Sequence, residues 1–256
     1  MDARAEAVST AGATNLAKVS VKAWHRKGPR FFRARRRKPL QQLTKEAKRR
    51  GMAPVLVAIV GGSGSGKTWL AQRLQALFAR CAARLSLDDF YLDRSHLSAA
   101  RRARLNFDHP RAIDWQCLEC ALQELSAGRQ AQIPDYDFAS HCRRRRMRVL
   151  QPKPLILLDG LWLLRRRALR RLFRLSIYLD CPTRTRLRRR LARDVLSRGR
   201  MRTSVCEQFW ATVEPMHARY VAPQSLWAEL VFIKTCTSRD IQKLAERIGQ
   251  LLGGDS

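Results

Sequence analysis

At 256 residues with a formal net charge of +30, the chain is long enough for one sizeable α/β domain plus an appendage. Its basic surface attracts phosphates of any kind without choosing among nucleotide, nucleic acid and acidic lipid. No run approaches the ~18 apolar residues of a membrane span, residues 1–50 lack the apolar core of a secretory signal, and seven irregularly spaced cysteines point to a reducing compartment rather than a disulfide framework. A cytoplasmic protein is expected.

Residues 1–20 are small and polar. A basic stretch follows, from Lys22 through Arg26, Lys27, Arg30, Arg33 and Arg35 to Lys38, with Trp24, Phe31 and Phe32 interleaved. Residues 1–50 carry 15 Lys and Arg against 3 Asp and Glu. Aromatics among arginines serve two ends, packing the extension onto the body or binding nucleic acid or an anionic surface. The composition also fits an organellar transit peptide, against which Asp2 and Glu6 count. The expected division is a basic, partly disordered extension over 1–52 and a second domain over 53–256.

The second domain opens on Val55-Leu56-Val57-Ala58-Ile59-Val60, then Gly61-Gly62-Ser63-Gly64-Ser65-Gly66-Lys67-Thr68, then the helix formers Trp69 to Leu74. Strand, glycine-rich loop and helix in this order are the setting in which G-x-x-x-x-G-K-[ST] cradles phosphates. The glycines turn backbone N–H groups inward, and the helix N-terminus adds partial positive charge. Lys67 would reach the β- and γ-phosphates and the Thr68 hydroxyl would ligate Mg²⁺. A glycine-rich turn that binds nothing matches these fixed positions and flanks poorly. The loop predicts binding of ATP or GTP.

Beyond the loop the pattern alternates strand and helix, which predicts a parallel sheet covered on both faces. Strands are expected at Ala83 to Leu87, Pro154 to Leu158, Leu175 to Leu179 and Leu230 to Ile233. Helices are expected over about Lys67 to Arg80, from Asp114 to Gly128, and from about Arg239. Residues 130–150 read as a polar hairpin excursion and 183–202 as an arginine-rich helical lid. Cys117 and Cys120, inside a helical pattern with no second such pair, read as buried thiols and not as a zinc site. The strand ends carry Asp88, Asp159 and Asp180, where open parallel sheets place their chemistry.

The ordered phrases Asp88-Asp89-Phe90-Tyr91, Asn106-Phe107-Asp108-His109-Pro110, Ile133-Pro134-Asp135-Tyr136-Asp137-Phe138, Ser140-His141-Cys142-Arg143, Leu158-Asp159-Gly160-Leu161 and Arg193-Asp194-Val195-Leu196-Ser197-Arg198-Gly199-Arg200 resemble the uridine–cytidine kinase family, within the phosphoribulokinase/uridine kinase group of P-loop kinases. The likeness runs from about Pro54 to Ile233 and leaves residues 1–50 without a counterpart. It implies a five-stranded P-loop kinase fold and transfer of a γ-phosphate to a nucleoside 5′-hydroxyl, with Mg²⁺. It further implies Asp88 as the base, Asp108 on the ribose hydroxyls, Tyr91, Tyr136, Phe138 and His141 around the pyrimidine, and Thr68, Asp88 and Asp159 toward Mg²⁺. Arg190, Arg193 and Arg198 resemble lid arginines, Arg198 on the donor nucleotide, and Gln208 a substrate-side residue beyond the lid. A homo-oligomer is compatible with the family.

The residues support the chemistry in their own right. Phosphoryl transfer spreads negative charge over oxygens, so catalysis is positioning plus cationic clamping. Arg186, Arg190 and Arg193 fall on one helical stripe, with Leu187 and Leu191 on the neighbouring face for packing. Asp159 stands where the family more often has Glu, and Asp89 where a small residue is usual. In an extended segment neighbours point opposite ways, so one of Asp88 and Asp89 serves the site, and Asp88 is the expected one. Two other readings compete: a related kinase acting on a sugar phosphate or vitamin, and a nucleotide-gated module that binds RNA or membrane through residues 20–50.

Overall fold

The structure, a computed structural model, describes residues 53–233 and 235–253. The basic extension and the roles expected of it lie outside the described residues. In chain order, β1 (Val55–Gly61) runs into α1 (Lys67–Phe78), and β2 (Ala82–Ser86) into a 3₁₀ turn at Leu87–Phe90. Next comes α2 (Trp115–Ser126), capped by Asp114, whose carboxylate accepts from the Cys117 amide at 3.0 Å. Four short strands follow: β3 (Ala131–Ile133), β4 (Tyr136–Asp137), β5 (Cys142–Arg143) and β6 (Arg148–Leu150). After β7 (Leu155–Gly160) and β8 (Phe173–Leu179) come α3 (Thr183–Arg198), α4 (Arg202–Gln208), β9 (Leu230–Phe232) and α5 (Ser238–Gly253).

Five strands form one parallel sheet in the order β2–β7–β1–β8–β9. β1 is central, and every one of its residues is buried. That is why its sequence is continuously apolar instead of alternating. Leu56, Ala58 and Val60 face one core, with Leu118, Leu122 and Leu125 of α2 and with Trp162 and Leu163. Val55, Val57 and Ile59 face the other, with Leu70 and Leu74 of α1 and Leu244, Ile248 and Leu252 of α5. The phosphate loop thus leaves the sheet from its central, fully buried strand.

The excursion between α2 and β7 is a pair of nested antiparallel ribbons, β3 with β6 and β4 with β5. Arg143 ties it down. Its guanidinium donates to the carbonyls of Tyr91 (2.8 Å) and Phe90 (3.4 Å) and to the Asp114 carboxylate (3.1 Å), and its amide donates to Asp93 (3.1 Å). Among the described residues no helix is long and apolar enough to cross a membrane.

Three expectations are corrected. β2 ends at Ser86, so Leu87, Asp88 and Asp89 lie in a 3₁₀ turn and not on a strand. The fully buried face of α3 is Arg186, Arg190 and Asp194, while Leu187 and Leu191 are only half-buried. Cys117 is half-buried but Cys120 is exposed, and both are free thiols.

Gly160, at the C-terminal end of β7, marks how closely the 3₁₀ turn sits on the sheet. A Cβ there would lie 2.5 Å from Leu87 Cβ and 3.1 Å from Leu163 Cγ. Gly160→Ala is expected to destabilise the fold by about 1–3 kcal/mol through overpacking, measured by urea unfolding. An unchanged midpoint would mean that Leu87 yields freely.

Candidate active site

The loop from Gly61 to Thr68 leaves β1 and enters α1 with Gly64 and Gly66 in the left-handed region (φ +78° and +100°). The loop's outer side is in tight contact with α3 and its neighbours. A Cβ on Gly62 would lie 2.8 Å from both Arg186 Cδ and His217 Nδ1, and one on Gly64 would collide with the Arg186 carbonyl oxygen. Only glycine allows this approach. Lys67 Nζ donates to the Gly62 carbonyl at 2.9 Å, and Thr68 Oγ1 donates to Asp159 Oδ2 at 2.8 Å. Asp159 is buried at the end of β7 and takes a second contact from Arg84 at 3.4 Å.

Asp88 and Asp89 diverge because successive residues of a 3₁₀ turn are about 120° apart. Ser86 Oγ accepts from the Asp88 amide at 3.3 Å and fixes the start of the turn. Asp89 pairs outward with Arg148 of β6 at 3.1 Å. Asp88 faces the cleft, where burial raises its pKa and the charges of Lys67 and Arg193 oppose the rise. Burial in the same cleft lowers the Lys67 pKa to about 8, against the pull of Asp88 and Asp159. The separation expected from strand alternation therefore occurs, by a different geometry.

A cluster of aromatic rings stands beside this turn. Tyr91 lies against Tyr136 (centroids 5.1 Å), Phe107 (5.9 Å) and Phe138 (6.4 Å). Phe107 stacks on His141 at 4.2 Å, and His141 Nδ1 is 3.4 Å from the Tyr136 hydroxyl. Burial, aided by the charges of Arg198 and Arg102, lowers the His141 pKa and keeps its ring neutral at neutral pH. The nested ribbons bring these groups together: β4 supplies Tyr136, and the turn into β5 supplies His141 at φ +56°.

The helix α3, Thr183–Arg198, joins loop and aromatic cluster. Arg190 donates to Ser63 Oγ (3.0 Å) and Gln208 Oε1 (2.9 Å) and lies 3.9 Å from Asp108. Asp108 also accepts from Thr212 Oγ1 at 3.1 Å. Arg193 is an electrostatic neighbour of both Lys67 and Asp88. Arg198, expected on the donor nucleotide, lies over the Phe138 ring at 4.9 Å, with the aromatic cluster. The arginine on the loop's other flank is Arg189, which donates to the Ser65 carbonyl (3.2 Å) and Thr235 Oγ1 (3.0 Å). It lines a cavity of about 580 Å³ together with Ser65, Gly66, Trp69, Asp180 and Ile233. Sequence reasoning missed Arg189, Phe107, Arg143 and Thr212. Phe107 was within reach, since it stands next to Asp108 in a phrase already singled out.

A phosphate-cradling loop on the central strand, acids at the neighbouring strand ends and an arginine-bearing helix against the loop define a P-loop kinase, a phosphotransferase acting on a hydroxyl acceptor. The family described as "Phosphoribulokinase / Uridine kinase family" matches residues 56–241, and the chain belongs to it. A uridine kinase of Chloroflexus aurantiacus is 39% identical over 180 residues, covering 70% of this chain and 86% of that protein. One from Brevibacillus brevis is 37% identical over 201 residues, covering 78% and 94%. Phosphoribulokinase from Rhodobacter spheroides shares the fold, with a TM-score of 0.53, 16% identity and 70% of each chain covered.

Two measurements test the electrostatics. If Asp88 activates the acceptor, Asp88→Asn is expected to lower kcat at least about a hundredfold, while Asp89→Asn, which breaks only the Arg148 pair, changes it less than about fivefold. Steady-state kinetics on both variants decides, and the reverse pattern would exchange their roles. Lys67 has a folded pKa of about 8 against 10.5 for the free side chain. Such a depressed value makes a contribution to stability that is complete above the unfolded pKa and lost as pH falls through the folded one. The difference in unfolding free energy between wild type and Lys67→Met is therefore expected to rise by about 3 kcal/mol from about pH 7 to about pH 10.5. Urea titrations at matched pH measure it, and a flat difference would show the ammonium to be solvated.

Proposed function

We propose that the chain transfers the γ-phosphoryl group of ATP, or of GTP, to the 5′-hydroxyl of uridine or cytidine. The observation that carries this reading is the aromatic enclosure of Tyr91, Phe107, Tyr136 and His141 next to the cleft-facing Asp88. A flat ring stacks favourably on an aromatic face at the edge of such a cluster, and the neutral His141 with the Tyr136 hydroxyl offers the donor and acceptor that a pyrimidine edge requires. A sugar phosphate would have little use for such faces. Relatives named uridine kinase, 35–40% identical over most of the kinase region, support the same acceptor class.

In this reading Asp108 holds ribose hydroxyls, which keeps the 5′-hydroxyl aimed at Asp88. Asp88, with its raised pKa, aligns that hydroxyl and accepts its proton. The loop amides and Lys67 hold the donor phosphates, and Arg190 and Arg193 face the oxygens on which charge develops. The cavity beside Ser65 and Gly66 suits the purine of the donor. The Thr68 hydroxyl and Asp159 carboxylate form an all-oxygen pair of the kind Mg²⁺ accepts alongside phosphate and water. Bound there, with Asp88 at hand, the ion would neutralise phosphate charge.

The test is a panel of uridine, cytidine, adenosine, a sugar phosphate and RNA, each incubated with ATP or GTP and Mg²⁺, with products identified by mass. Pyrimidine nucleoside 5′-monophosphates are expected. Phosphorylation of the sugar phosphate in preference to every nucleoside would overturn the reading. His141→Leu is expected to cut kcat/KM for uridine and cytidine by about 10²-fold, because a buried polar edge then goes unpaired.

A further inference from the structure

One carboxylate in the lid has no solvent contact and no direct part in the roles above. Asp194 has a side-chain exposure of 0%, and four guanidinium groups surround it. Oδ1 accepts from Arg193 Nε at 2.8 Å and lies 3.6 Å from Arg198 Nη1. Oδ2 lies 3.4 Å from Arg190 Nε and 3.8 Å from Arg200 Nη1. The main chain of the same residue closes the helix. Its carbonyl accepts from the Gly199 amide and, at 3.1 Å, from the Arg200 amide. With Gly199 in the left-handed region (φ +62°), this turn folds the chain back and returns Arg200 to the carboxylate.

From this hub the arginines reach different parts of the site. Arg190 goes to Ser63 of the phosphate loop. Arg193 faces Lys67 and Asp88. Arg198 covers Phe138, and Arg200 donates to Gln208 at 2.6 Å, on the atom that Arg190 also uses. Four cations this close repel one another, and a central anion is what allows them to share the space. Burial pushes the Asp194 carboxyl upward, but the Arg193 hydrogen bond and the other arginine charges win and hold it below its ordinary value. It is ionised throughout the neutral range. Among the described residues neither Arg190 Nε nor Asp194 Oδ2 has a hydrogen-bond partner, so the link between them is charge attraction.

We propose that Asp194 is a positioning residue for phosphoryl transfer, a single buried anion that sets the directions of Arg190, Arg193, Arg198 and Arg200 across the site. The inference rests on the kinase activity but not on which acceptor is used. A displacement of about 1 Å at the reacting groups is enough to cost on the order of 10² in rate. Asp194→Asn keeps shape and removes the charge, so the guanidiniums lose their common anchor.

The experiment uses the full chain and whichever acceptor wild type phosphorylates most rapidly, so that a wrong acceptor assignment shows in wild type and not in the variants. Asp194→Asn is expected to lower kcat at least about thirtyfold while the KM for the donor stays within about threefold. In a double-mutant cycle, Arg193→Gln is expected to cost less than a fifth as much in the Asp194→Asn background as in wild type, because the two act as one unit. A kcat within threefold of wild type, or costs in kcat that add, would overturn the proposal, since an Arg193 that does not take its direction from Asp194 would cost the same rate in either background. Should the Asn variant fail to fold, Asp194→Glu carries the test. It keeps the charge and moves it by one methylene, with at least a tenfold loss of kcat expected and wild-type kcat overturning the idea.

Discussion

The contact on which the site depends is the one between the outside of the phosphate loop and the first turns of α3. A loop that turns its amides toward a phosphate presents its α-carbons to whatever lies behind, and here that is Arg186 and His217. The backing is itself held. Arg186, 1% exposed, donates to the Cys181 carbonyl at 3.0 Å, to Thr183 Oγ1 at 3.2 Å and to Glu214 at 2.6 Å. A buried ion pair of this kind contributes little net stability, but the loss of one partner leaves an uncompensated charge. Loop, lid and the segment after α4 are therefore one mechanical unit.

This contact also explains why α3 buries charge rather than leucine. Its inner face meets polar partners, the Ser63 hydroxyl and the Glu214 and Asp108 carboxylates, which guanidinium groups satisfy, and the residues at four-residue spacing are Arg186, Arg190 and Asp194. The half-buried leucines take what apolar surface remains. Cations of the lid and acids of the strand ends act on each other across the cleft. The lowered Lys67 and raised Asp88 are two aspects of one desolvated space, in which each group limits the shift of the other.

Much of the fold was legible because the signals were local. Continuous apolar runs gave β1 and β7, the mostly apolar Leu175 to Leu179 gave β8, Asp114 and Gly128 bracketed α2, and the loop needed only its glycines, lysine and threonine. What was not legible depended on tertiary contacts. Nothing in Leu87-Asp88-Asp89-Phe90 distinguishes one more strand residue from a 3₁₀ turn. The turn is started by the Ser86 cap just before it and sits closely on the sheet, with Leu87 over Gly160. The exposure of Cys120, by contrast, was legible, because it lies opposite the stripe formed by Leu118, Ala121, Leu122 and Leu125. Arg143 stood in the phrase Ser140-His141-Cys142-Arg143 with no role of its own, yet it is the peg of the whole excursion, because the carbonyls it meets belong to residues 52 and 53 positions earlier.

The stretch after α4 is helical but not uniformly so. It passes through wide π turns at Phe209–Val213 and His217–Val221, with the short α-turn Glu214–Met216 between them, and then tightens to 3₁₀ over Ala222–Trp227. Each wide turn accommodates one residue more than an ordinary turn of the same height. The wide turns take up those extra residues, so the rod keeps its phase past them. Gln208 meets the lid arginines, Thr212 meets Asp108, Tyr220 meets His109 at 3.0 Å, and Gln224 clasps Leu161 and Leu164. A chain shortened by one residue in either wide turn would regain an ordinary turn of the same height, so Gln224 would keep its clasp, whereas a deletion in a regular turn would rotate everything beyond it by about 100°. The wide turns are therefore the places where this segment can lose a residue, and its regular turns are not.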